Sequence, residues 1–186
     1  ARLLGISSKF GVEFDSLADV VSFCVAPSVL VYNIYCGELN TIVGSIFSFI
    51  PLIAGTVRLA KYNLESDEDN PKSYFIGLST PISTVTILAF MYFNNKIVGG
   101  GFYGDPRLGL SLVGVLGLLM LSPIHFPKAP LITFKSGYSN SLLLIILIVS
   151  SFSLIIWKGF ALLPICLGYI ITNTILWVYR LRTTDF

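Results

Sequence analysis

Charge is scarce in this chain, and so are histidine and cysteine. Only 12% of its 186 residues are Asp, Glu, Lys or Arg, where a soluble globular domain carries roughly a quarter. Hydrophobic residues make up 54%, and the mean hydropathy is +0.82, which excludes a soluble globular fold. The net charge of +2 is too small to point to nucleic acid. Cys24, Cys36 and Cys166 are far apart with no CxxC pair and no histidine cluster, which argues against a structural zinc site and a disulfide framework. His125, the single histidine, sits between Pro123 and Pro127 in a connecting stretch, a surface or interface position rather than a catalytic one. Ser139 and Ser141 have no partner base for nucleophilic catalysis. Internal repeats and low-complexity segments are absent, and one membrane-embedded domain over residues 1–186 is expected.

What the chain does have is apolar runs, several of them near the ~20 residues that a bilayer crossing needs. Inside lipid the backbone must satisfy its own hydrogen bonds, so these runs are helices, and they lack the alternation of barrel strands. The fold class is therefore all-α, a polytopic membrane helix bundle. About six helices are expected, from Gly11 to Tyr35, Thr41 to Tyr62, Thr80 to Phe93, Leu108 to Leu121, Ser141 to Trp157 and Ala161 to Tyr179. Pro27 lies within the first, where a packed bundle tolerates a kink. The second carries Gly44, Ser45, Ser48, Ala54 and Gly55, small residues that let helices approach closely. LESDEDNPKSY after it reads as a solvated loop, and SPIHFPKAPLITFKSGYSN as a connection.

Alternate crossing puts residues 1–19, 58–79, 122–140 and 180–186 on one side of the membrane. Nine of the twelve basic residues fall there: Arg2, Lys9, Arg58, Lys61, Lys72, Lys128, Lys135, Arg180 and Arg182. Basic residues favour the cytoplasm, so that side is expected to be cytoplasmic.

At the start of the chain, ARLLGISSKFGVEFDSLAD places Gly11, Asp15 and Asp19 four residues apart. On a helix such residues share a face, with Cβ atoms ~5–6 Å apart, so two carboxylates stack with a bare notch one turn above them. Acidic residues in a first turn can simply complement the helix dipole. At the lip of a membrane helix, however, carboxylates are costly unless a cation or substrate uses them, and the register with Gly11 favours that use. Arg58, Lys61 and Asn63 end the second helix on the same side. There the helix dipole and membrane topology already favour cations, and a phosphate or carboxylate ligand would use them too.

Ala1-Arg2, eight residues, Gly11, three residues, Asp15, three residues, Asp19 resembles the second half of the CDP-alcohol phosphatidyltransferase signature, D-x-x-D-G-x-x-A-R-(x8)-G-x-x-x-D-x-x-x-D. DSLADVVSF with Ala26-Pro27, RLAKYN at 58–63, FIGLSTP at 75–81 and LMLSPIHFP at 119–127 are similar to the serine-using branch of that family. There are departures. Cys24 stands where the family has glycine, Ser79 where it has proline, and Lys61 and Tyr62 replace an arginine and a phenylalanine. The first two aspartates of the signature would precede Ala1, so the sequence is expected to lack one or two N-terminal helices.

The resemblance implies an integral membrane enzyme with its site on the cytoplasmic face. It would transfer a phosphatidyl group from CDP-diacylglycerol to the hydroxyl of L-serine and release CMP. It implies a divalent metal cofactor, two ions of Mg2+ or Mn2+, with Asp15 a ligand and Asp19 both ligand and general base. A carboxylate is a weak base for an alcohol, so the metals must carry much of the developing charge. Arg2 would bind phosphate of the CDP group and Gly11 would let the nucleotide approach. Arg58, Lys61 and Asn63 would meet the lipid phosphate or serine. A homodimer among membrane lipids, without nucleic acid, completes the implied picture. Glycerol phosphate or inositol phosphate acceptors and an archaeal-type CDP-lipid donor are the alternatives within the family. DSLAD with RLAKYN favours serine, because the glycerol-phosphate branch shows a DPxADK-like block. A non-enzymatic transporter or scaffold would instead place ionisable residues near mid-helix along a pathway, whereas here they gather at one boundary.

Overall fold

The structure is a computed structural model and describes residues 9–35, 41–65, 74–98, 105–127, 150, 152–154, 156–157 and 159–184. Arg2 and most of the helix expected from Ser141 to Trp157 lie outside the described residues. In chain order the elements are α1 (Lys9–Val20), a π-helical turn (Val21–Val25), α2 (Ala26–Tyr35), α3 (Thr41–Ser48), α4 (Ile50–Glu65), β1 (Tyr74–Ile76), α5 (Thr80–Val98), α6 (Pro106–Leu121), β2 (His125–Pro127) and α7 (Leu162–Thr184).

Among the described residues, three stretches are long and apolar enough to cross a bilayer: Glu13–Tyr35, Ile42–Leu64 and Leu162–Leu181. α6 has 16 residues, a length of only ~24 Å. α5 is more polar, and its Ser83, Thr84 and Thr86 are buried against neighbouring helices. All of them share one core, in which Val31 and Tyr35 of α2, Ala54 of α4, Ile87 and Met91 of α5, Leu116 and Met120 of α6 and Ile170 of α7 pack together. The opposite faces stay apolar and exposed, as at Phe14, Leu17, Ile46, Ile53, Ile171 and Ile175. Such a surface has no place in water; it faces the hydrocarbon of the membrane.

Prolines mark the helix irregularities. Pro106 opens α6 at its first turn, behind an Asp105 cap whose side chain accepts the Arg107 backbone N–H at 2.8 Å. Pro51, with no N–H, coincides with the interruption between α3 and α4. The chain nonetheless continues as one span, with Phe49 bonded to Ser45 at 3.3 Å and Ile53 to Phe49 at 3.0 Å. At Pro27 the expected kink takes the form of the preceding π-turn, closed by the Ala26 N–H on the Val21 carbonyl.

The small residues of α3 and α4 pack as their size suggests: Gly44, Ser48, Ala54 and Gly55 are buried. A Cβ on Gly55 would collide with Cys24 Sγ, and one on Gly109 would meet the Tyr35 ring at 2.5 Å.

Two stretches read as loops from the sequence contain strand. Tyr74–Ile76 and His125–Pro127 pair antiparallel, with Phe75 opposite Phe126. Three residues are too few to show a strand period. Gly77, at φ 75°, turns the chain out of β1. Its N–H then reaches the Ile124 carbonyl at 2.8 Å, and Leu78 reaches Leu119 at 3.0 Å. This ladder caps the end of α6, and α7 fastens it. Phe126 stacks on Tyr169 at 6.0 Å, and Trp177 Nε1–H donates to His125 Nδ1 at 3.1 Å. His125 is exposed, as expected, and also holds the last helix.

Candidate active site

Asp15 and Asp19 lie one turn apart on α1, Asp15 exposed and Asp19 half-buried. Gly11, one turn earlier, is exposed. The helix is anchored there by Asn63 of α4, whose Nδ2–H donates to Ser16 Oγ at 2.9 Å across 47 residues of sequence. That bond brings the C-terminal end of α4 beside the aspartate turn. Asn63, expected from the sequence to be a ligand contact, here ties helix to helix.

Arg58 is the other residue α4 contributes. It is only 7% exposed. Its guanidinium lies 5.9 Å from the centroid of the Phe75 ring, a cation–π contact worth ~1–2 kcal/mol when desolvated. Its Nε–H is buried without a hydrogen-bond partner. Its charge lies within interaction range of Asp19. Lys61, one turn on, is exposed. Beside Arg58 opens a cavity of about 220 Å3, walled by Val57, Lys61, Tyr62, Ile76, Met120, Leu121 and Ser122. The aspartates do not line it. Arg58 is the shared member, part of the cavity wall and electrostatically coupled to Asp19.

The sequence reading missed Ser16, Phe75, Tyr62 as a wall residue, and Ser122. Phe75 and Ser122 sit within blocks already noted, FIGLSTP and LMLSPIHFP, but only the β1–β2 pairing brings those blocks to Arg58.

Carboxylate oxygens suit a hard divalent cation such as Mg2+ or Mn2+. No hydrogen bond or ion pair among the described residues occupies either aspartate. Their donor chemistry therefore fits such an ion. Among the described residues no third Asp, Glu, His or Cys joins them in a metal-binding group.

The model of the CDP-alcohol phosphatidyltransferase family matches residues 1–124. The chain is 36% identical over 182 residues to the CDP-diacylglycerol–serine O-phosphatidyltransferase of Helicobacter pylori (strain ATCC 700392 / 26695), covering 96% of this chain and 72% of that one. It is 34% identical over 162 residues to the protein of the same name from Methanocaldococcus jannaschii, covering 87% and 72%. The archaetidylserine synthase of Methanothermobacter thermautotrophicus is 31% identical over 121 residues, 64% of this chain and 46% of the relative.

Proposed function

This chain belongs to the CDP-alcohol phosphatidyltransferase family, and from that premise we infer that it makes phosphatidylserine and CMP from CDP-diacylglycerol and L-serine. The observation that supports the reading is Asp19, within electrostatic range of the buried and under-bonded Arg58, with Asp15 exposed one turn away on the same helix.

The family is divalent-metal dependent; Asp15 and Asp19 are the residues here that would hold the metal, taken as two ions of Mg2+ or Mn2+. When bound, the metal supplies charge stabilisation for the pyrophosphate and its leaving CMP. Asp19 removes the proton from the serine hydroxyl. The serine oxygen then bonds to the lipid-bearing phosphorus as the bond from that phosphorus to the CMP oxygen breaks. Arg2 binds phosphate of the CDP group, and Gly11 leaves room for the nucleotide. Arg58 and Lys61 draw an anionic group of the substrates, the serine carboxylate or the lipid phosphate, towards the cavity. Its volume of about 220 Å3 is below the ~300–1,000 Å3 of drug-sized pockets and suits a small acceptor rather than a nucleotide. Asn63 holds the α4 end in place for both. The enzyme works as a homodimer among membrane lipids, with this site towards the cytoplasm.

The test is conversion of labelled serine by the full-length protein in sealed inside-out vesicles supplied with CDP-diacylglycerol and Mn2+. Labelled phospholipid and CMP should appear in equal amounts. CMP release that ignores serine would refute the acceptor, and activity confined to right-side-out vesicles would refute the orientation. The archaetidylserine synthase relative favours adding a CDP-archaeol arm; preference for that donor would replace the diacyl reading. Cross-linking in the same vesicles should trap a dimer, and a monomer alone would remove the homodimer.

A further inference from the structure

The buried stripe of α2 and the π-turn is Cys24, Pro27, Ser28, Val31 and Tyr35, the i, i+3, i+4, i+7 pattern of one helix face. Continued backwards through a regular helix at ~100° per residue, that stripe would pass through Val20, Leu17 and Glu13, and Asp15 and Asp19 would point roughly 140–180° away, into lipid. The structure has the opposite arrangement. Leu17 is 63% exposed and Phe14 61%, while Asp19 and Ser16 are half-buried against α4 and Asp15 stays exposed. The π-turn is the cause: its extra residue rotates everything N-terminal to it by ~100° and swings Asp19 towards α4.

Pro27 and Thr84 make that turn tenable. In an α-helix Pro27 would be the donor to the Phe23 carbonyl, and it has no N–H. An unsatisfied carbonyl within a membrane span is costly. Thr84, buried on α5, supplies the missing bond: its Oγ1–H donates to the Phe23 carbonyl at 2.8 Å. We propose that Thr84 is a positioning residue for phosphatidyl transfer, holding the Val21–Val25 π-turn so that Asp19 is set towards α4 and Arg58 rather than the lipid, with Asp15 one turn along to share the metal. This rests on the metal role given above to the two aspartates.

The experiment uses the full-length protein and reads Mn2+ affinity directly, from the free-ion paramagnetic resonance signal, alongside kcat and the KM for serine. Thr84→Val keeps the shape and removes the donor. Like other losses of groups that orient metal ligands, it should weaken Mn2+ binding ~10-fold or more, with kcat falling in parallel and KM for serine holding. Thr84→Ser, which restores a hydroxyl, should behave as the parent. Thr86→Val is the control, because the Thr86 hydroxyl donates to the Ile82 carbonyl of its own helix at 2.6 Å and its other partner is Cys166 of α7, not the π-turn; it should leave Mn2+ affinity unchanged. The proposal is overturned if Thr84→Val binds Mn2+ as the parent does, or if Thr84→Ser fails alongside it. It is also overturned if Thr84→Val does not accumulate in membranes while Thr86→Val does, since the bond would then serve folding. Mn2+ binding that is absent from the parent, or unaffected by Asp15→Asn, would instead sink the metal reading itself.

Discussion

A guanidinium that is 7% exposed and leaves its Nε–H unpartnered is costly to bury, and helix capping alone does not require it. Arg58 meets the helix dipole and topology rules equally well from an exposed position, as Lys61 does. Its burial over Phe75 is what makes it testable as the proposed ligand contact. Arg58→Lys keeps the charge and loses the planar fork and the ring contact. With a charge-assisted bond to substrate lost, worth ~1.5–3 kcal/mol, the KM for serine or for the lipid donor should rise at least tenfold, with a smaller change in kcat. Steady-state kinetics varying each substrate would show it, and unchanged KM values for both would remove Arg58 from substrate binding. The positions of Asp15, Asp19 and Arg58 at one end were legible from their spacing and from helix boundaries. The burial of Arg58 was not, because it depends on a ring that arrives from β1.

At the scale of elements, hydropathy located the helices among the described residues, and the ends expected at Tyr35 and Leu121 are where α2 and α6 stop. What local pattern could not supply is how elements meet. Pro27 announces a missing donor, but only the neighbouring α5 decides that Thr84 fills it and that the distortion is a π-turn. Cys24 departs from the family's glycine, and its partner Gly55 gives up the space across the interface. The β1–β2 ladder was invisible because its strands are three residues each. Its pivot is Gly77, at φ 75°, where an added Cβ would run into the Met120 carbonyl. Gly77→Ala should destabilise the protein by more than the ~1–3 kcal/mol of left-handed strain alone. Its melting temperature in detergent should fall, and activity at low temperature should drop as the wall of the cavity shifts. A melting curve and activity equal to the parent's would mean the ladder does not shape the site.

Across the whole molecule, polarity is sorted by end rather than by layer. The aspartate turn, the α4 terminus, the β ladder and the Trp177–His125 bond gather at one end, while the flanks are apolar and face lipid. A donor with its tails in the bilayer can bring its pyrophosphate to such an end without leaving the membrane, and a water-soluble acceptor can meet it there. That sorting was readable from where the charges fall in the sequence. The inward turn of Asp19 was not, because it depends on one extra residue in one helical turn.

The most direct measurement is formation of labelled phosphatidylserine by the full-length Asp15→Asn and Asp19→Asn proteins, with equal membrane expression verified. Each substitution keeps the side-chain shape and removes the negative charge that would hold metal or take a proton. Both should reduce turnover at least ~1,000-fold, the scale of losing a group that acts in the transition state, and added Mn2+ should not restore Asp19→Asn. Turnover within a few-fold of the parent in either variant would contradict the role given to that carboxylate, and in both it would contradict the account.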